Sequence, residues 1–85
     1  MKTIKKFQIV DFFYDNRKLD VDGIVKFLNK HLEVFCDGVK SKKLQNVMKQ
    51  DILDFKEFAK DAKVGDIFTL HFSKYDPSID DIICI

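Results

Sequence analysis

Residues 41–63 read SKKLQNVMKQDILDFKEFAKDAK, the longest run in the chain that keeps one period without interruption. Stepping each residue by about 100° places Leu44, Val47, Met48, Ile52, Phe55, Phe58, Ala59 and Ala62 within an arc of about 140°, the width of a helical face packed on a core. Such a stripe needs an apolar layer to pack against. Two residues break its pattern. Asp51 projects near the middle of the arc, and Leu53 projects on the far side. A carboxylate on a buried face is costly unless it finds donors. The simpler reading is therefore two consecutive helices, with Asp51 capping the second and Asp54 in its first turn. The alternative is one helix in which Asp51 is a functional carboxylate. Leu53 reads as an ordinary exposed leucine.

Working back from this stretch, residues 21–38 carry a second stripe, Val21, Ile24, Val25, Leu28, Leu32 and Phe35, at helical spacing. Asp20 or Asp22 is placed to cap the first amides, and Asp37-Gly38 is placed to end the helix. A rival reading makes 32–36 a strand turning at Asp-Gly. Residues 15–18 form a polar turn. Before it, residues 2–14 read as a strand whose alternation slips, so a bulge is expected near residues 8–11. Phe7, Ile9 and Phe13 fall on one face of that strand, and Val10, Phe12 and Tyr14 on the other.

Working forward, Val64-Gly65-Asp66 stops the helix, and IFTLHF alternates Phe68, Leu70 and Phe72 against Ile67, Thr69 and His71. A polar connector at Asp76-Pro77-Ser78 leads to residues 80–85, apolar on both faces as in a central strand. Their nearness in sequence predicts an antiparallel hairpin with a long loop. The order β-α-α-β-β predicts one α+β domain over residues 1–85: a three-stranded, mostly antiparallel sheet with two helices on one face.

A chain of 85 residues buries roughly 60–65% of its unfolded surface. The core is well supplied, since 46% of residues are apolar and nine are Phe. A charged fraction of 34% with net charge +1 argues against disorder and against a partner recognised by overall charge. No apolar run is long enough for a signal core or a membrane span. Cys36 and Cys84 lie far apart without CxxC or His–Cys spacing, so the chain reads as a reduced cytoplasmic protein. Of 15 basic residues only Arg17 is arginine. Together with abundant Ile and Phe and few Gly, Pro or Ala, that is the composition of an AT-rich coding sequence, frequent in phages and mobile elements.

Chemistry-bearing motifs are sparse. Asp20-Val21-Asp22-Gly23 begins like a calcium loop but lacks the glutamate at its end, and reads as a helix cap. The isolated Gly23, Gly38 and Gly65 make no phosphate cradle. No His, Cys or carboxylate set has metal-ligand spacing in sequence, and no cofactor is implied. Both cysteines fall in apolar runs and read as small buried hydrophobes. His31 and His71 would support metal-free RNA cleavage only if the fold brought them together. The main polar anomaly is residues 38–50, where Lys40, Lys42, Lys43 and Lys49 occur with no acid among them. Asp51, Asp54, Glu57 and Asp61 follow.

Two functional expectations emerge. The first is a non-enzymatic interaction domain that binds another protein or a second copy of itself, because the first and last strands carry more apolar surface than two helices cover. Phe12, Tyr14, Ile83 and Ile85 are the contacts expected on that surface. Given the composition, the expected role is an inhibitor or modulator of a host protein, acting in the host cytoplasm. The second is salt-sensitive, weakly sequence-specific RNA or DNA binding through Lys40, Lys42, Lys43 and Lys49, since lysine supplies point charges without the bidentate readout of arginine. Neither involves a membrane.

Overall fold

The structure, a computed structural model, describes residues 5–11, 17–38, 42–75 and 79–85. Strand β1 (Phe7–Asp11) pairs antiparallel with β2 (Lys18–Leu19). Helices α1 (Val21–Gly38) and α2 (Lys42–Asp61) follow, then strand β3 (Ile67–Thr69), a 3-10 turn at His71–Lys74, and strand β4 (Ile79–Cys84). The sheet is antiparallel with order β2-β1-β4-β3. The class is α+β, as the sequence predicts, but the sheet has four strands rather than three. The added strand, β2, is two residues long, too short to show a period.

Strand alternation positions the core. Phe7, Ile9, Phe68, Ile82 and Cys84 point to the inner face and are buried. There they meet Ile24 and Leu28 of α1 and Met48, Ile52, Phe55 and Ala59 of α2. Aromatic edges organise the contact: Phe55 stands edge-on to Phe7 at 5.2 Å and to Phe68 at 5.7 Å, and Phe58 to Phe68 at 5.3 Å. Such pairs add about 0.5–1.5 kcal/mol each beyond area burial.

The expected irregularity in the first strand falls at Val10/Asp11, but the extra residue belongs to the partner strand. Val10 pairs with Asp81 and Asp11 with Ile79, which leaves Asp80 as a bulge in β4. The bulge lets Ile79 and Ile82, of opposite parity, both reach the core.

α1 is helical through Gly38, so the strand reading of residues 32–36 does not hold. Asp20 Oδ1 accepts the Gly23 N–H at 2.7 Å, the expected cap. A Cβ at Gly23 would stand 3.0 Å from that oxygen, so the missing side chain makes room for the cap. α2 is one helix rather than two. Its last carbonyls, Ala59 O and Lys60 O, accept hydrogen bonds from Lys5 Nζ at 3.1 and 2.8 Å. Gly65 then turns the chain with φ +97°, a conformation that suits glycine.

The predicted strand over residues 67–72 is a strand only to Thr69. Beyond Leu70 the hydrogen bonds go elsewhere: Ser73 N–H to Leu70 O at 3.2 Å and Tyr75 N–H to Phe72 O at 2.8 Å, both of 3-10 type. Phe72 N–H leaves the sheet for Asp51 Oδ2 at 2.9 Å. Leu70 and Phe72 stay buried and His71 stays exposed, as the alternation predicts, although His71 no longer lies on a strand.

Candidate functional site

Two features stand out. The first is the outer face of the sheet. Register places Ile67 beside Ile83 and Ile83 beside Gln8, which in turn pairs with Lys18, so one row runs Lys18, Gln8, Ile83, Ile67 across all four strands. The next row is Val10, Asp81, Thr69, with Thr69 Oγ1 donating to Asp81 Oδ1 at 2.9 Å. Ile85 lies beyond Ile83, its N–H held by Lys6 O at 3.0 Å. Ile67 is 57% exposed, Val10 37% and Ile85 36%, while Ile83 is half-buried. Aliphatic side chains thus occupy the centre and one end of this face, with Lys18, Gln8, Asp81 and Thr69 around them. Of the contacts expected from sequence, Ile83 and Ile85 lie here, whereas Phe12 and Tyr14 lie outside the described residues.

The second is polar. Asp51 projects from the apolar face of α2 with no exposed surface. His71 Nδ1 lies 2.8 Å from its Oδ1, and Oδ2 takes the Phe72 N–H. With the carboxylate accepting on both sides, Nδ1 carries the hydrogen, and a neutral ring then keeps its lone pair at Nε2. Asp54, one turn along, takes a hydrogen bond from Gln50 Nε2 at 2.9 Å. These groups and Val47 line an open groove of about 300 Å³. Asp51, Asp54 and His71 each offer a ligand-type atom, all within 4.8 Å of one another.

The fold therefore gathers a donor set that sequence spacing does not show. The one legible signal is the position of Asp51 on the apolar arc. Its partner His71 lies 20 residues away. The two histidines have separate roles. His31 stacks on the Phe72 ring, centroids 5.7 Å apart, while His71 engages Asp51. Cys84 is a buried free thiol, and the Cys36 side chain lies outside the described residues.

Lys42, Lys43 and Lys49 are exposed on α2, and Lys40 lies outside the described residues. At helical spacing Lys42, Lys49, Lys56 and Lys60 share an arc of about 40°, successive members of the first three standing about 10.5 Å apart along the axis. Asp54, Glu57 and Asp61 share an arc of about 60° beside it. The charge asymmetry read along the sequence is thus an asymmetry around the helix. A Lys60–Glu57 ion pair at 3.0 Å joins the two stripes.

Among the described residues no helix is long and apolar enough to cross a membrane. The fold and surface define a small α+β domain with one sheet face closed by two helices and one that no described element covers. No protein-family model, curated protein or solved structure matches the chain.

Proposed function

We propose that this protein is a non-enzymatic interaction domain that docks polypeptide against the outer face of its sheet, and that a second copy of the chain is an occupant this face fits. The observation that carries the reading is the aliphatic group Val10, Ile67, Ile83 and Ile85 on a sheet whose other face is already covered by two helices. An apolar centre with a polar rim is the composition of a protein interface.

A second copy suits the charges. The rim holds Lys18 and Asp81, one of each sign, and a net charge of +1 sets little repulsion between copies. Strands of five, two, three and six residues at about 4.8 Å spacing give a flat area of roughly 250 Å² per copy, below a standard interface, so weak, concentration-dependent association is expected. Packing two twisted sheets at about −30° closes the face by two-fold symmetry. If the gene belongs to a mobile element, as its composition suggests, the functional occupant is a host protein that displaces the second copy.

Light scattering over a concentration series tests this. Association should be concentration-dependent, and Ile67→Lys and Ile83→Lys should each abolish it without unfolding the domain. A protein that stays monomeric at millimolar concentration, with Ile83 methyl signals unmoved on dilution, would remove the proposal. The lysine stripe on α2 supports a second reading, polyanion binding.

A further inference from the structure

We propose that Asp51, Asp54 and His71 form a binding site for a divalent first-row transition-metal ion, each residue giving one ligand atom and water completing the shell. This inference is independent of the docking surface. Two carboxylate oxygens and an imidazole nitrogen make a donor set suited to manganese, iron, cobalt, nickel or zinc rather than to calcium, which prefers an all-oxygen shell.

The spacing is compatible with shared coordination. His71 Nδ1 and Asp51 Oδ1 are 2.8 Å apart. Two donors each about 2.1 Å from an ion stand about 3.0 Å apart at a right angle and about 3.4 Å apart at the tetrahedral angle. The observed separation is that of a hydrogen bond, so a small outward movement of either group lets both donors share one ion. On binding, the Nδ1–H hydrogen bond to Asp51 is given up: the neutral ring changes tautomer, losing the proton at Nδ1 and gaining one at Nε2 by exchange with solvent, and the freed Nδ1 lone pair and Asp51 Oδ1 both turn to the metal.

Two further observations point to a cation here. Asp51 is fully buried, and among the described residues its two hydrogen bonds come from His71 and Phe72, with no Lys or Arg paired with it. A carboxylate has about four acceptor positions, so this one keeps spare capacity in a place where its charge is poorly solvated. It nonetheless borders the groove that Asp54 and His71 share. The ligands are also already oriented. Gln50 holds one oxygen of Asp54 and the Phe72 N–H holds one oxygen of Asp51, which leaves the second oxygen of each to face the ion. Asp51 and Asp54 are three residues apart on one rigid helix, the spacing that puts two side chains on neighbouring positions of one face.

Calorimetric titration of the full chain with manganese(II), nickel(II) and zinc(II) chlorides tests the site. One ion per chain is expected. Calcium should bind more weakly than nickel. Asp54→Asn and His71→Gln change partly exposed and exposed side chains and should stay folded by circular dichroism. Each should weaken binding by at least about tenfold. Manganese(II) should broaden the amide signals of Asp54, His71 and Phe72 before those around His31. Absence of heat and of broadening up to about 1 mM ion, the range of merely adventitious affinity, would overturn the proposal. So would equal affinity in both folded variants with broadening centred on His31.

Discussion

A carboxylate with no exposed surface sits in the middle of the apolar face of α2, and both its partners come from a segment 20 and 21 residues further along. Removing it would leave the buried Phe72 N–H without an acceptor, a loss of about 1–3 kcal/mol before any cavity is counted. Asp51→Ala is therefore expected to destabilise by about 2–4 kcal/mol. Asp51→Asn keeps an acceptor for Phe72 N–H and loses only the charge-assisted bond to His71, so about 1 kcal/mol is expected. Urea unfolding measures both, and equal costs would show that the Phe72 contact contributes nothing. In the sequence, Asp51 was visible as a misfit because the helical arc exposes any polar intruder. His71 was not, because a residue that alternates outward on an apparent strand gives no hint of a partner on a helix. The same hydrogen bond explains the missed 3-10 turn: once Asp51 takes the Phe72 N–H, that amide is lost to the sheet, and a ladder donor captured by a distant side chain leaves no local trace.

At the scale of elements, α2 is held by opposite means at its two ends. Its first turn contains no acid and begins with Lys42 and Lys43, positive charges at the positive end of the helix dipole. Its last turn is capped by Lys5, more than 50 residues away in sequence, where a cation is favourable. Replacing Lys42 and Lys43 with Glu is expected to stabilise the fold by a few tenths to about 1 kcal/mol per site. Lys5→Met should lower stability by about 0.5–1.5 kcal/mol. Over a domain of this size, about 1 kcal/mol moves the melting temperature by roughly 4–8 °C, within reach of calorimetry. Should the Glu variants melt lower than the parent, the lysines must make contacts that outweigh the dipole. Both helices and the last strand were legible because their apolar residues recur at 3.6 or 2. The choice between one long helix and two was not, since Asp51 serves equally well as a cap or as a buried acceptor until its donors are known. β2 was invisible for a simpler reason: Lys18 and Leu19 pair only because β1 offers an edge.

For the whole molecule, the two readings of function occupy different layers. The aliphatic face belongs to the sheet, and the lysine stripe belongs to the solvent side of the helix packed on its inner face. This separation makes their effects independently measurable, because side chains so placed share no partner and their substitutions should add. If the stripe binds nucleic acid, each lysine that neutralises a phosphate of a single strand contributes about 0.7 to the slope of log affinity against log salt. Changing Lys42, Lys49 and Lys56 together to Ala should then reduce that slope by up to about 2 and weaken binding similarly for every sequence tested. Ile67→Lys and Ile83→Lys should leave that slope intact while abolishing association between copies. The reverse pattern, with the lysine variant losing self-association and the isoleucine variants losing nucleic acid, would mean that one continuous surface serves both partners. An affinity that does not change with salt in the parent protein would reduce the stripe to a solvated helix face, leaving the outer face of the sheet as the docking surface to pursue.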